Sequence, residues 1–312
     1  MKKMVFPLLF LLAAMTLPLS AQAAGRVRNP QPTEPTEAPT QPAAETPTEP
    51  AAEVKPGFED TDSGNIPLLR DYIHGKTTEL PEGFDLNADG VIDTFDMALM
   101  KQFKKQYTLE PKGSVHTGDA TFYGGGYVGG CAMLDPVSTD YWIVAMNYYD
   151  WNNSQLAGAY LEVTGESGTI KMLVTDELPE GKKGDLDLYT DAFPLIAPVE
   201  KGRVPCSWHI IPRDTAADAP VTYRFKEGST EFWAGVQVRN HKYPITRFEY
   251  LDADGNFVEI PRRNYNYFET RFLGAGPYTF RITDIYGNAM VDKNIPLIEP
   301  DVDQDGHIQF PD

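Results

Sequence analysis

Basic residues and cysteine are scarce in this chain of 312 residues, where 27 Lys and Arg stand against 45 Asp and Glu and there are two cysteines. The formal net charge of −18 argues against binding to nucleic acid or to an anionic membrane surface, because both are negatively charged. No apolar run after the first 24 residues approaches the length of a membrane span. Helical periodicity is almost absent after Gly118, so most of the chain should be β structure.

The N-terminal part reads as an export signal followed by a tether. In residues 1–24, Lys2-Lys3 is basic, Val5–Leu19 is apolar and Ala21-Gln22-Ala23 is a small-residue cleavage site, which predicts secretion. Residues 25–57 are rich in Pro, Thr, Glu and Ala. They have too few apolar residues to offset the entropy of ordering, so we expect an extended linker.

The two cysteines, Cys131 and Cys206, both follow the predicted linker. In an exported chain they can oxidise together, and we predict a disulfide between them. The loop it would close is about 75 residues long, for which the chain-entropy model gives up to ~4 kcal/mol of stabilisation. The alternative is two unrelated buried thiols.

Residues 58–108 change to a helical pattern around an acidic loop, Asp85–Asp96. Oxygen-bearing side chains stand at loop positions 1, 3, 5, 9 and 12, with Gly90 at position 6. This spacing predicts a calcium site, with Asp in place of the usual Glu at position 12. The alternative is an acidic surface loop with this spacing by chance. The predicted ligands are Asp85, Asn87, Asp89, Val91 (through its carbonyl), Asp93 and Asp96.

From residue 118 onward, short strand-like runs alternate with clusters of Gly, Pro, Asn and Asp, which predicts two all-β domains that meet near Pro212–Pro220. In the second, Phe232 and Trp233 are adjacent. Successive side chains of a strand point to opposite faces, so at least one ring should face outward. An exposed flat ring can stack on a sugar. The alternative is that one ring is core and the other fills an edge groove.

Residues 118–312 resemble a bacterial expansin over their whole length. In-order segments with near-constant spacing carry the resemblance: GDATFYGGGYVGGCAMLDP (118–136), GDLDLYTDAF (184–193), YRFKEGSTEFWAGVQVRNHKYP (223–244) and RITDIYGN (281–288). The resemblance implies a mainly β fold. A six-stranded double-psi β-barrel over 118–214 would be followed by an immunoglobulin-like, carbohydrate-binding β-sandwich over 218–312.

Residues 64–106 are similar to the dockerins, EF-hand-like helical modules that attach enzymes to cellulosome scaffolds by binding cohesins. A dockerin has two calcium loops, whereas the first half here, GNIPLLRDYIHGK, keeps its helix without its loop. The resemblance implies calcium as cofactor and a cohesin as partner. The alternative is a structural cap packed on the barrel. A second stretch, Asp301–Asp312, also has calcium-loop spacing, but its residues His307–Asp312 match an expansin tail, which favours the tail over a second calcium site.

The expansin resemblance assigns three polar residues to the barrel groove. The essential acid of the family lies in a Leu-Asp-Leu motif and matches Asp187, while Thr121 and Asp176 match its two groove partners. A groove tyrosine of the family is replaced by Leu178. Without the resemblance, Asp187 and Asp176 read more simply as residues that support a turn or a strand end through backbone hydrogen bonds.

The same resemblance places a linear stacking platform on Phe232, Trp233 and Tyr265, with Lys226 as a nearby polar contact. Phe232 stands where the family usually has Trp. Phe has a smaller face and no N–H donor, so we expect weaker binding than in a Trp-Trp version. This domain has a smaller excess of acidic over basic residues than the predicted barrel, and we expect it to favour neutral glucans such as cellulose over acidic polymers.

Together these features predict a secreted expansin-like protein that binds cellulose and related plant cell-wall glucans and loosens them without hydrolysis. Its dockerin-like module would recruit it to a cellulosome. Two alternatives stay open. One is an inverting endoglucanase with Asp187 as acid and Asp176 or another carboxylate as base, since such enzymes need two carboxyl groups ~6.5–9.5 Å apart. The other is a purely carbohydrate-binding component with an inert barrel.

Overall fold

The structure, a computed structural model, describes residues 64–214, 219–297 and 299–311. All of them fall within the unit Val54–Asp312. The predicted export signal and linker lie outside the described residues. Over these ranges, no helix has the length and apolar character needed to cross a membrane.

Two helices flank the predicted calcium loop. They are α1, Asn65–Ile73, and α2, Thr94–Tyr107. A capping box starts α2: the Phe95 N–H donates to Asp93 Oδ1, and the Asp93 N–H donates to Asp96 Oδ2. The helical character predicted for this part of the chain is therefore confirmed, and the first acidic residues of α2 serve its own N-terminus.

Six strands close into a barrel in the order β1-β5-β2-β4-β3-β6. The pairs β1–β5 and β2–β4 are parallel and the other four are antiparallel. Alternating burial builds the core, since Val204, Cys206, Trp208 and Ile210 of β6 are buried. The strands are His116–Tyr123 (β1), Trp142–Asn147 (β2), Tyr160–Thr164 (β3), Thr169–Leu178 (β4), Leu186–Tyr189 (β5) and Val204–Ile211 (β6), with a short helix α3 at Tyr148–Trp151 and 3-10 turns at Phe193–Leu195 and Val199–Lys201.

Two four-stranded sheets follow, in the orders β10-β9-β12-β13 and β11-β8-β7-β14. Aromatic rings fill the space between them: Tyr223, Phe248 and Phe280 have centroids 4.7–6.4 Å apart. The mainly β fold predicted from sequence is confirmed. The strands are Thr222–Phe225 (β7), Trp233–Arg239 (β8), Ile245–Leu251 (β9), Phe257–Glu259 (β10), Phe268–Arg271 (β11), Tyr278–Asp284 (β12), Ala289–Ile295 (β13) and Asp303–Asp305 (β14).

The helical module, residues 64–108, packs on the outer face of the sheet β10-β9-β12-β13. Its carbonyl groups accept hydrogen bonds from strands of that sheet: the Val291 N–H donates to Gly83 O at 2.8 Å, and Arg281 Nη1 donates to Leu86 O at 3.0 Å. The apolar side chains of both helices join the core of the sandwich; they are Ile66, Leu69, Met100 and Phe103. The surface that the module caps therefore belongs to the sandwich, where the sequence suggested the barrel as the alternative to a free docking module.

The loop 129–135 fixes the barrel against the sheet β11-β8-β7-β14. Gln237 Nε2 donates to Ala132 O at 2.9 Å, and the Arg239 guanidinium donates to the carbonyls of Leu134 and Asp135. Gln237 and Arg239 both lie on β8 and are buried. Because these bonds are numerous and shielded from water, the two β domains are held in one orientation.

Candidate functional site

Asp187, the predicted acid of the barrel groove, lies on β5. Its neighbours Leu186 and Leu188 are buried, so the alternation of the strand turns Asp187 outward. Thr121 of β1 lies directly opposite it in register, and Thr121 Oγ1 donates to Asp187 Oδ1 at 2.5 Å. Partial burial raises the pKa of Asp187 above its usual value, although the Thr121 hydrogen bond and the charge of Arg203 oppose the shift. This carboxyl therefore keeps its proton to a higher pH than an exposed aspartate.

Asp176 lies across the groove on β4. Asp187 and Asp176 are both register partners of Ala145 on β2, so the two residues are two strand spacings apart, about 10 Å between their Cα atoms. Asp176 Oδ1 accepts hydrogen bonds from the N–H groups of Cys131 at 2.8 Å and Glu177 at 2.9 Å. Part of this carboxylate is thus used to hold the loop 129–135 against the barrel.

Tyr123 belongs to the groove, although the sequence did not single it out. It follows Thr121 by two residues on β1 and points to the same face. Burial, together with the charges of Asp176 and Asp187, raises the pKa of Tyr123 to about 12. Its hydroxyl therefore stays protonated. Tyr127 joins it in lining a shallow pocket beside Asp176. The alternation that places Thr121 outward was a signal that could have identified Tyr123.

The stacking platform lies on the sheet β11-β8-β7-β14. Phe232, directly before β8, is 63% exposed, while Trp233 and Tyr265 are half-buried. At least one of the two adjacent rings does face outward, as the strand pattern predicts. Phe232 and Trp233 thus lie at the start of β8, on the sheet that also contacts the barrel.

Glu269 organises the polar part of the platform and was not predicted from sequence. Lys226 Nζ lies 3.1 Å from Glu269 Oε1, 3.2 Å from the Tyr265 hydroxyl and 4.3 Å from the centroid of the Tyr265 ring. The Tyr265 hydroxyl also donates to Glu269, and Arg263 Nε lies 3.1 Å from Glu269 Oε2. These contacts fix the ring of Tyr265 and the ammonium of Lys226 before any ligand arrives.

The predicted calcium loop makes contacts of its own with the sandwich. Asp85 Oδ2 accepts hydrogen bonds from Lys293 Nζ at 2.6 Å and the Gly90 N–H at 3.0 Å. The two oxygens of Asp96, which is fully buried, accept from the N–H groups of Leu86 and Asp93. Among the described residues no group of three or more His, Cys, Asp or Glu side chains is placed to hold a metal ion. The donor types suit calcium, but these carboxylates are turned to other partners here.

The C-terminal stretch with calcium-loop spacing forms part of a sheet. Asp303–Asp305 is strand β14, paired with β7. Asp303 Oδ1 accepts from Arg224 Nε at 2.6 Å and from Arg239 Nη1 at 3.1 Å. An extended strand cannot wrap its side chains around one ion, so this stretch acts as an edge strand of the sandwich.

The predicted disulfide is wrong, because both cysteines are free thiols in the structure. Cys206 is buried in the barrel on β6, whereas Cys131 is exposed in the loop 129–135 beside Asp176 of β4. Strand β3 separates β6 from β4 in the barrel, so the thiols occupy different places. Burial raises the pKa of Cys206 to about 12, and burial and Asp176 raise that of Cys131 to about 11.

Comparison with known proteins gives a consistent result over the β domains. No family model matches the chain. The chain is 40% identical over 206 residues to Expansin-YoaJ of Bacillus subtilis, a match that covers 64% of this chain and 88% of that protein. It is 26% identical over 144 residues to Expansin-like protein 2 of Dictyostelium discoideum, covering 44% of this chain and 35% of that protein.

Among solved structures, the chain is similar to an expansin of Clavibacter michiganensis. A point mutant of that protein in complex with cellohexaose matches with a TM-score of 0.57 and 30% identity, covering 63% of this chain and 98% of the other. The apo form matches with the same TM-score and coverage and 31% identity. A closed six-stranded barrel joined to a sandwich of two four-stranded sheets defines a class of two-domain β protein. Within that class, the chain belongs to the expansin family.

Proposed function

We propose that this chain is a secreted expansin that holds cellulose and related cell-wall glucans on Phe232, Trp233 and Tyr265 and loosens them without cutting a covalent bond. The observation that carries the proposal is the open aromatic platform on a sheet whose other end is fixed to the barrel groove. Sugar C–H faces stack on such rings, and Lys226 can donate to sugar hydroxyls beside them. The cellohexaose complex of the Clavibacter expansin supports this choice of ligand class.

The route from platform to groove runs through the loop 129–135. Gln237, on the same strand as Trp233, donates to Ala132 O, and the adjacent Cys131 N–H donates to Asp176 in the groove. A glucan chain stacked on the platform can therefore be presented to Asp187 across a rigid junction. When the glucan chain is displaced in the groove, the platform still holds it, and the rigid junction transmits the force between the two sites. Such a force can separate one polymer chain from its neighbours.

Asp187 supplies the polar contact in the groove. In its neutral form the carboxyl donates one hydrogen bond to a sugar hydroxyl or to the glycosidic oxygen, while Oδ1 still accepts from Thr121. A hydrogen bond made to a strained chain competes with the bonds between neighbouring glucan chains. No covalent bond changes and no water is activated, so the step requires one carboxyl group.

The second candidate function is inverting hydrolysis, favoured by the position of Asp176 across the groove from Asp187. Their Cα spacing of about 10 Å is compatible with a carboxyl separation of ~6.5–9.5 Å, depending on side-chain direction. Against it, Asp176 Oδ1 already accepts two backbone N–H groups, which ties this carboxylate to the loop 129–135. Hydrolysis also requires this group to activate water.

Two assays on the full mature chain separate these functions. We expect wall strips under constant load to extend when the protein is added, with no reducing sugar released from amorphous cellulose over many hours. Steady release of oligosaccharides would replace the non-hydrolytic proposal with the glycosidase. Binding without extension or release would leave a purely carbohydrate-binding component with an inert barrel. For secretion, mass spectrometry of the exported protein should find a mature N-terminus at the end of the predicted signal, directly after Ala23 or Ala24.

We further propose that the loop Asp85–Asp96 binds calcium and that the helical module binds a cohesin, which would recruit the protein to a multi-enzyme complex. The charge of the loop supports the first part, since its acidic side chains repel one another without a cation. The test uses the full chain and a purified type I cohesin domain in calcium or in chelator. Calcium-dependent capture that is lost in the Asp85→Ala, Asp89→Ala double variant is the expected result. No capture in either condition would assign the module a capping role alone.

A further inference from the structure

Phe272 is an exposed aromatic residue beside the platform. Its side chain is 73% exposed, compared with 63% for Phe232. Its backbone φ is +57°, in the left-handed region that a bulky side chain rarely adopts and that costs free energy. A large apolar ring that contacts solvent from a strained backbone is unfavourable for folding on both counts. Such an arrangement is typical of a functional site.

The turn at Phe272 does not require an aromatic residue. Arg271 ends β11 opposite Trp233, and Leu273 then returns to the core with 6% exposure. The left-handed residue between them makes this change of direction. Glycine or asparagine adopts that conformation at lower cost, so the turn alone would favour one of those residues. The ring of Phe272 therefore serves a purpose other than the turn.

Phe272 adjoins the end of the platform that is farthest from the barrel. Its N–H donates to the carbonyl of Phe232 at 2.8 Å. Along the chain of β8, Gln237 contacts the barrel and Phe232 precedes the strand five residues earlier, a separation of about 17 Å for an extended strand. The backbones of Phe272 and Phe232 are therefore direct neighbours at this distal end.

We propose that Phe272 is a further stacking residue, which takes an additional sugar ring of a neutral β-linked glucan next to the one on Phe232. The inference rests on the proposed carbohydrate binding and lengthens the site that performs it. The occupant is a glucan because Phe272 is hydrogen-bonded through its backbone to Phe232 of the proposed platform and because Arg271, the exposed residue before it, offers donors for hydroxyl groups. The strain at Phe272 is then offset when the chain is bound.

The experiment compares Phe272→Asn with Phe272→Trp in the full mature chain. Asparagine keeps the turn and removes the ring, so affinity for cellohexaose and for crystalline cellulose should fall about two- to tenfold, the effect of one stacking contact. The thermal midpoint of Phe272→Asn should rise slightly because strain is relieved. Phe272→Trp should bind as tightly as the wild type or more tightly. Val115→Asn is the control, since Val115 is an apolar residue that is 67% exposed but lies directly before β1.

Ligand length gives an independent readout. Cellotriose is too short to cover the whole platform, so its affinity should change less in Phe272→Asn than that of cellohexaose. Unchanged binding of both ligands and of cellulose by Phe272→Asn, with binding lost in Trp233→Ala, would overturn this inference and leave the proposed function intact. A markedly lower thermal midpoint in Phe272→Asn would also overturn it, because the ring would then stabilise the fold. Binding that persists in Trp233→Ala would instead reject the platform itself.

Discussion

The outer faces of the two sheets of the sandwich differ in what covers them. The sheet β10-β9-β12-β13 is covered by the helical module, and charged side chains lie in that contact, with Arg281 Nε and Nη2 bound to the two oxygens of buried Glu249 at 2.8 and 2.7 Å. The sheet β11-β8-β7-β14 is covered by the barrel at one end and open at the other, where Phe232 and Phe272 are exposed. Charge is buried where the helical module packs, and rings are exposed on the sheet where we propose that a glucan binds.

This contrast separates stability from binding. The ion pair between Arg281 and Glu249 is shielded from water by the module, and the Arg281 guanidinium also lies 4.7 Å from the centroid of Phe103 on α2 and donates to Leu86 O. Loss of this ion pair should lower the free energy of unfolding of the whole fold. Rings that contact solvent support little of the core, so their loss should affect ligand affinity and leave the fold largely unchanged.

The largest expected effect is on the covered face. Arg281→Ala removes the bidentate partner of buried Glu249 and leaves Arg247 as its remaining cationic partner, which should lower the free energy of unfolding by about 3 kcal/mol. Chemical denaturation of the full chain measures it, and cellulose affinity below the transition should stay unchanged. Arg271→Ala on the open face is the matched control and should shift stability by less than ~0.5 kcal/mol. Equal effects of the two variants would show that the module contributes nothing to the covered sheet.

The next effect is on the open face. Trp233→Ala should weaken cellulose binding severalfold or more, since stacking alone gives roughly 0.5–1.5 kcal/mol per contact beyond the buried area. Tyr265→Ala should be milder, because that ring is also engaged with Lys226 and Glu269. Pull-down on crystalline cellulose checks both. If the double variant binds like the wild type, the open rings are not the ligand surface and the contrast between the two sheets fails.

Asp187 tests whether the open face works together with the groove. Asp187→Asn should reduce wall extension while cellulose binding persists, because the platform is untouched. The folded-state pKa of Asp187 is raised by burial, so its proton favours the folded form. That contribution to stability is complete below the unfolded-state pKa and is lost as pH rises through the folded-state pKa. The proposed contact uses the neutral carboxyl of Asp187, so wall extension should be greatest at mildly acid pH and should fall as pH rises. Extension by Asp187→Asn at the wild-type level would remove this residue from the mechanism.

The sequence singled out Asp187 only through the expansin resemblance, whereas a local pattern, two adjacent aromatics, required that at least one of Phe232 and Trp233 be exposed. Local sequence patterns could not predict long-range packing, because the contact of Arg281 with Leu86 joins residues 195 positions apart. Glu269 gave no local signal because its importance comes from Lys226, Tyr265 and other residues brought together by the fold.

The predicted disulfide is a case in which the sequence suggested a contact that the fold does not make. An export signal and two cysteines describe a compartment and a composition, whereas a bond needs two sulfur atoms at bonding distance. Cys206 points into the barrel core and Cys131 does not, and no sequence pattern available from one chain encodes that difference. Phe272 was missed for a related reason, since its significance lies in a positive φ that only the folded backbone reveals.

The smallest expected effect concerns Lys293, which brings a positive charge from the covered sheet to the first residue of the predicted calcium loop. Lys293 Nζ lies 2.6 Å from Asp85 Oδ2. In chelator, Lys293→Met should therefore lower the thermal midpoint by about 1–3 °C, since a partly exposed pair contributes ~0.2–1 kcal/mol. Added calcium should raise the midpoint of Lys293→Met by more than that of the wild type, because the ammonium no longer competes for Asp85. Lys171→Met is the control: Lys171 pairs with Asp214 at 3.1 Å, away from the module, and its calcium response should match the wild type. An equal calcium response in wild type and Lys293→Met would show that Lys293 does not compete with calcium for Asp85. No calcium response in either protein would reject calcium binding by the loop.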